Sequence, residues 1–318
     1  MIKVAVKTNQ NQADYFLNFL KEKKKEIEKI TEKKIKIKYF FDSLKNAAEN
    51  TEIDIIIVTE AVDNSLEYII KALKNSKIII CKTPKLLAEN YKKLNNLADR
   101  YRSKIYFSSI FSPLPLDDLI NNFYALDEIK EVNAVVNAAT NYILGEMEKE
   151  RISMKETIER AKISSYIEEN PDLDLDGWNS LYKIVLLANL LFDSDFDADQ
   201  IEHKGIKGIT SYDIIYTDEL GYKIKLLATI KKHNNKLYFG ARPTLIKKDE
   251  FLASVNNNSN AVEIISKFNS ESILKAKNST TASANLLSLD LIKAVKFINN
   301  KQEKIEQSEK KSTEVSEV

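Results

Sequence analysis

The first 107 residues alternate five short apolar runs with four stretches of helical patterning. Residues 2–6, 35–41, 53–58, 77–81 and 104–107 read as strands. Residues 12–30 gather Tyr15, Phe16, Phe19, Leu20, Ile27 and Ile30 on one side of a helix and charges on the other. Residues 42–50, 65–75 and 85–101 read as further helices. Runs such as IIIV and IIIC lack polar alternation, as expected of strands covered on both faces. Strand and helix in strict alternation predict a parallel sheet with helices on both sides.

Past about residue 130 the pattern changes. Residues 131–138, 202–209, 222–232, 236–242 and 261–268 read as strands, and 153–162, 178–192, 211–219 and 281–299 as helices. That mixture predicts a second, α+β domain. A chain of 318 residues is long enough for two cores. Residues 301–318 are polar and charged with almost nothing to bury, which predicts a disordered tail.

Composition excludes several classes of function. Lys+Arg 48 against Asp+Glu 47 leaves a net charge of +1, without the basic excess of a nucleic-acid-binding protein. The lysine-rich stretch 21–36 is interleaved with glutamate and reads as a solvated helix face. One cysteine, Cys81, and two histidines, His203 and His233, argue against a disulfide framework or a Cys/His metal cluster. Cys81 ends an apolar run and reads as a core thiol, Trp178 as core, and the histidines as surface residues. No apolar run approaches the roughly 20 residues that span a bilayer. Met1 leads directly into a strand with no signal peptide, so a soluble, cytoplasmic protein is expected.

Glycine is scarce. There are six, at 145, 177, 205, 208, 221 and 240, where average usage would give about 22. A composition heavy in Lys, Ile and Asn, as in AT-rich genomes, accounts for part of this shortage.

From about residue 53 onward the chain resembles the homoserine dehydrogenase family. Five segments carry the likeness. Residues 75–89, NSKIIICKTPKLLAE, resemble the strand-turn-helix where the family has an Asn-Lys pair. Residues 136–144, VNAATNYIL, are similar to N-G-T-T-N-Y-I-L. Residues 165–183, SYIEENPDLDLDGWNSLYK, are similar to G-Y-A-E-x-D-P-x-x-D-x-x-G-x-D-x-x-x-K. Residues 241–262 follow R-P-T-L-V with its downstream N-A-V, and 281–292 follow T-A-S-A-V-x-S-D-L. A weaker echo, Ile80-Cys81-Lys82-Thr83-Pro84, resembles the E-K-P turn of the glucose-fructose oxidoreductase group, whose second domain does not fit.

The resemblance implies an α/β fold: a Rossmann-like nucleotide-binding domain, residues 1–133 completed by the C-terminal helix 281–299, and a substrate and dimerisation domain, residues 134–280. It implies NAD(P)-dependent interconversion of L-aspartate 4-semialdehyde and L-homoserine in threonine and methionine biosynthesis, a homodimer, and an amino-acid-like substrate. It makes Lys183 the retained catalytic lysine and Glu168 the group that meets the substrate's amino end, with Thr140, Asn141 and Tyr142 in a substrate-lining motif.

Several family positions are replaced. Thr8, Gln10 and Ala13 stand where the cofactor loop has glycines, which elsewhere permit close backbone approach to a pyrophosphate. Asp42, near the end of the second strand, is placed to reach a ribose hydroxyl or to cap the next helix. Ser112-Pro113-Leu114-Pro115 replaces G-G-I-P, Ala138 replaces a glycine, and Lys275-Ala276-Lys277 replaces G-A-G. Pro84 occupies the position of the other catalytic lysine, with Lys82 and Lys85 beside it, and Asn179 that of an aspartate. Two readings follow: an active NAD- or NADP-dependent enzyme, or a catalytically silent family member without cofactor that binds a ligand or a partner.

Overall fold

The protein is represented by a computed structural model that describes residues 1–7, 10–39, 44–61, 63–163, 167, 170–234, 236–256 and 258–316; the side chains of 10–14, 38–39 and 304–316 lie outside that description. In chain order, the first half comprises β1 (Ile2–Lys7), α1 (Gln10–Thr31), β2 (Ile35–Tyr39), α2 (Leu44–Glu49), β3 (Ile55–Val58), α3 (Ser65–Lys74), β4 (Ile78–Cys81), α4 (Pro84–Ala88), α5 (Tyr91–Arg100) and β5 (Ile105–Tyr106). There follow α6 (Leu116–Asp118), β6 (Ile129–Val135), α7 (Ala138–Glu150), α8 (Met154–Ile163), α9 (Asp172–Leu175), α10 (Trp178–Phe192) and α11 (Ser211–Glu219). The chain ends with β7 (Tyr222–His233), β8 (Lys236–Lys247), β9 (Ser259–Ser266), β10 (Glu271–Lys277) and α12 (Thr280–Ser316).

These elements form two compact units. Unit one takes Met1–Thr83, Lys93–Ser109 and the chain from Ser283 onward; unit two takes Pro84–Lys92 and Ile110–Ala282.

In unit one, β2-β1-β3-β4-β5 form a parallel sheet in that order. All four residues of β3, and all four of β4, are buried, the consequence of helices on both faces. On one face Phe16, Leu17, Leu20 and Ile27 of α1 and Ala284, Leu287, Leu291 and Val295 of α12 share a core with Val4, Ile55, Ile57, Ile78 and Ile80. At Ile56 and Ile79 the side chains point to the other face, as strand alternation requires. The chain reverses direction across the sheet between β1 and β3. Their carboxyl ends are joined by Thr59 N, which donates to Lys7 O at 3.1 Å.

In unit two an antiparallel sheet of order β10-β9-β6-β7-β8 is packed by α7, α10 and α11. The segment 165–183 is set by glycine. Gly177, at φ 86°, starts α10, and a Cβ on Gly205 would lie 2.0 Å from Leu175 O.

Several sequence expectations need correction. The boundary at residue 133 falls inside the second unit, because β6 pairs with β7 and β9. Residues 85–101 are two helices in different units; Asn90 Nδ2 donates to Leu86 O at 3.0 Å, an amide competing with the helical ladder. Residues 202–209 are a loop rather than a strand, with only His203 bridging to Ala241, since Gly205 and Gly208 loosen it. The tail expected to be disordered continues α12 to Ser316. Nothing between 280 and 316 is Gly or Pro. Helix α7 and strand β10 escaped the reading altogether.

Gly205→Ala is expected to lower stability by about 3 kcal/mol, because the new Cβ meets backbone that cannot yield. Gly208→Ala, whose Cβ meets nothing within 4 Å, is expected to stay within about 0.5 kcal/mol. Urea unfolding of both variants checks this.

Candidate functional site

The candidate site lies wholly in unit two, at the first turn of α10. Asn179 and Lys183 are one helical turn apart and so share a face. Lys183 Nζ donates to Val136 O at 2.8 Å. That carbonyl sits just before Asn137, the N-cap of α7, whose Oδ1 accepts from Thr140 N at 3.1 Å. The other end of the Asn137 amide donates to Asp174 Oδ1 at 2.7 Å, and Asn179 Nδ2 donates to the same oxygen at 2.7 Å. One carboxylate therefore ties α7, the turn 172–177 and α10 together.

This geometry explains what an amide does at position 179. A carboxylate there would face Asp174 at hydrogen-bond distance, and like charges so close cannot both ionise. Asn179 supplies an N–H instead, donated to Asp174 Oδ1. A loop clasps the turn from outside: Ile206 N donates to Leu175 O at 2.7 Å, and Lys207 Nζ pairs with Asp172 at 2.7 Å and Asp176 at 2.8 Å.

The motif Thr140-Asn141-Tyr142 is split by its helix. Thr140 is buried and its hydroxyl donates to Asn137 O at 3.2 Å. Asn141 faces inward, its Nδ2 donating to Ser259 O at 3.2 Å and its Oδ1 accepting from Lys225 Nζ at 3.0 Å. Tyr142 packs against the core around Ile143, Leu144 and Leu226. Lys225 is 1% exposed and also donates to Val255 O at 2.5 Å and Asn256 Oδ1 at 3.2 Å. Three oxygens thus match three ammonium N–H groups. Burial pushes its pKa down to about 8, opposed by the charge of Glu148.

Other expected residues fall as follows. Pro84 opens α4, which packs on α10. Lys85 pairs with Glu89 at 3.8 Å on the surface. Lys82 belongs to unit one, and burial lowers its pKa. Buried Cys81 lies 2.9 Å from Thr83 Oγ1, and burial raises its thiol pKa. Trp178 is half-buried rather than core, with the His203 ring tilted against it at 4.0 Å and Tyr182 stacked at 5.5 Å. Tyr182 itself is pushed up to about 12, by burial first and then by the charges of Glu89 and Asp199. Thr8, Asp42 and Glu168, and the side chains of Gln10 and Ala13, lie outside the described residues. Among the described residues no group of His, Cys, Asp and Glu could hold a metal ion, and no helix is long and apolar enough to cross a membrane.

Sequence reasoning missed Asn137, Asp174 and Lys225. Asp174 had a signal, since it fills a carboxylate position in the 165–183 pattern. Lys225 had none, because one lysine in a β-rich run looks solvated.

Comparison with known proteins agrees with this fold. The homoserine dehydrogenase family model matches residues 115–292, and the chain belongs to that family. The homoserine dehydrogenase of Neisseria gonorrhoeae is 30% identical over 199 residues, 62% of this chain and 46% of that protein. That of Bacillus subtilis is 27% identical over 242 residues, 76% of this chain and 56% of that protein. The chain thus spans about half the length of these curated relatives. In structure it superposes on a homoserine dehydrogenase from Thiobacillus denitrificans with a TM-score of 0.88 at 20% identity, over 94% of this chain and 74% of that one. A hyperthermophilic archaeal homoserine dehydrogenase in complex with NADPH gives 0.76 at 20% identity, over 92% of this chain and 97% of that one.

The sign of the Lys225 shift gives a pH test. Its folded pKa, about 8, lies below the ordinary 10.5, so between those values the unfolded chain holds a proton that the folded chain has released. Stability therefore rises with pH across that window. Unfolding measured at pH 8 and 10 should show a gain of about 2 kcal/mol relative to Lys225→Met, which lacks the group.

Proposed function

We propose that this chain keeps an amino-acid-binding site at the head of α10 and does not transfer hydride by its family's route. Position 84 carries this reading. Reduction of an aldehyde needs a proton donor and positive charge at the carbonyl oxygen. The residue here is proline, in the first turn of α4, and it has neither.

The cofactor side supports the same reading. The family uses NAD(P), and when bound a nicotinamide supplies the hydride. In doubly wound sheets the phosphates lie at the carboxyl ends of strands where the strand order reverses, against a helix N-terminus. Here that helix, α1, begins at Gln10, three residues after β1 ends, and glutamine stands there where the family has glycine. Unit one contains no glycine at all. The residues present do not fit a glycine-lined cradle, and no step is routed through a dinucleotide. Low glycine content alone is a weak account of this, because glycine persists where backbone packing demands it. A Cβ would lie 2.6 Å from Glu202 O at Gly240, and 2.0 Å from Leu175 O at Gly205.

What remains suits an amino acid. Lys183 offers positive charge, Asp174 negative charge, and Asn137 and Asn179 amides, and the resemblance adds Glu168 for the amino group. A homodimer built through unit two, and a cytoplasmic location, belong to the same reading.

The second reading, NAD(P)-dependent interconversion of L-aspartate 4-semialdehyde and L-homoserine, is favoured by the position of Lys183. Calorimetric titration of the full chain with L-homoserine, NADPH and NADH separates the two. Saturable heat from L-homoserine, weakened at least tenfold by Lys183→Ala, with none from either dinucleotide, is the expected result. Micromolar NADPH binding together with oxidation of L-homoserine would establish the active enzyme instead.

A further inference from the structure

A second cleft in unit two is separate from the head of α10. It has a volume of about 450 Å³ and runs between the 202–209 loop, α11 and β8. The loop is tied to the strand by Lys204 N, which donates to Ala241 O at 2.9 Å, so Lys204 adjoins the residue that precedes Arg242. Residues Glu202, Lys204 and Arg242 all line the cleft. Among the described residues none of these three forms an ion pair or a side-chain hydrogen bond. Asp213, on the same wall, is already committed: its carboxylate accepts from Thr210 N at 2.8 Å and from the Thr210 hydroxyl at 2.6 Å. The remaining lining includes an apolar surface from Ile209, Ile224 and Leu245.

Charges of both signs without a protein partner stand beside an apolar wall in this cleft. A guanidinium presents a fork of donors that matches a carboxylate in bidentate fashion. A free carboxylate across the same cavity matches an ammonium. A simple anion would meet Glu202 as well as the cations, and a simple cation would meet Arg242 and Lys204. The chemistry that satisfies all three groups is a zwitterion, and the volume falls in the range of small-molecule pockets.

We propose that this cleft binds a free α-amino acid with an aliphatic side chain. Its carboxylate is taken by Arg242 and Lys204, its ammonium by Glu202, and its side chain by Ile209, Ile224 and Leu245. The site shares no side chain with the head of α10, and it stands whether or not the family reaction runs.

The probes are L-leucine, 4-methylpentanoate (which lacks the ammonium) and 3-methylbutylamine (which lacks the carboxylate), titrated calorimetrically into the full chain. L-leucine is expected to bind saturably, and each one-ended analogue at least tenfold more weakly. Arg242→Gln and Glu202→Gln should each weaken L-leucine at least tenfold with an unchanged melting temperature, and Lys183→Ala should leave it within twofold. Absence of saturable L-leucine binding would overturn the proposal. So would unaltered affinity in Arg242→Gln, an analogue that binds as tightly as L-leucine, or loss of binding in Lys183→Ala, which would move the ligand to the head of α10.

Discussion

The second unit depends on one close approach of backbone to backbone. The loop through Gly205 lies against the turn that ends in Gly177, near enough that Ile206 N bonds Leu175 O at 2.7 Å and any Cβ on Gly205 would collide. That clasp holds the turn 172–177 in register. The turn aims Asp174 at two amides from two different helices, and Gly177 launches α10 with Asn179 and Lys183 on one face. The loop that makes the clasp is also a wall of the neighbouring cleft. Loss of this contact would free the turn that carries Asp174.

Buried polar groups play the complementary part. Lys225 and Asp174 each bind three elements or segments with a single charged head. A buried charge persists only where its hydrogen bonds are complete. Lys225 meets that condition with three neutral oxygens, while the half-buried Asp174 gathers two amide N–H groups on one oxygen. In unit one Asp290, fully buried, does likewise: it accepts from the Ser108 hydroxyl at 2.5 Å and from Lys293 at 3.3 Å, so α12 is tied to the end of β5.

Much of unit one was legible in the chain. Parallel strands covered on both faces need apolar side chains at every position, so IIIV and IIIC announce themselves without a partner in view. Helix α1 was legible for the same local reason, through its period of apolar residues. Unit two was less so. Helix α7 hid inside a run that reads as a site motif, and β10 hid because its large apolar residues, Ile273 and Leu274, are adjacent in sequence although exposure alternates along the strand. The 202–209 run reads as a strand, but its two isoleucines, Ile206 and Ile209, stand three apart, and Gly205 serves the clasp instead.

The sequence by itself determined the two-part architecture and the family, and it puts proline at position 84 and no glycine before position 145. These follow from residue identity and short-range periodicity, which act within a few residues along the chain. Only the tertiary structure decided that Asp174 gathers Asn137 and Asn179, that Lys183 rests on Val136 O, that Lys225 is buried, and that Glu202, Lys204 and Arg242 line one cleft. Each of these pairs residues far apart in the chain or on separate elements. Their charges and hydrogen bonds acquire meaning only when packing brings them within about 3 Å.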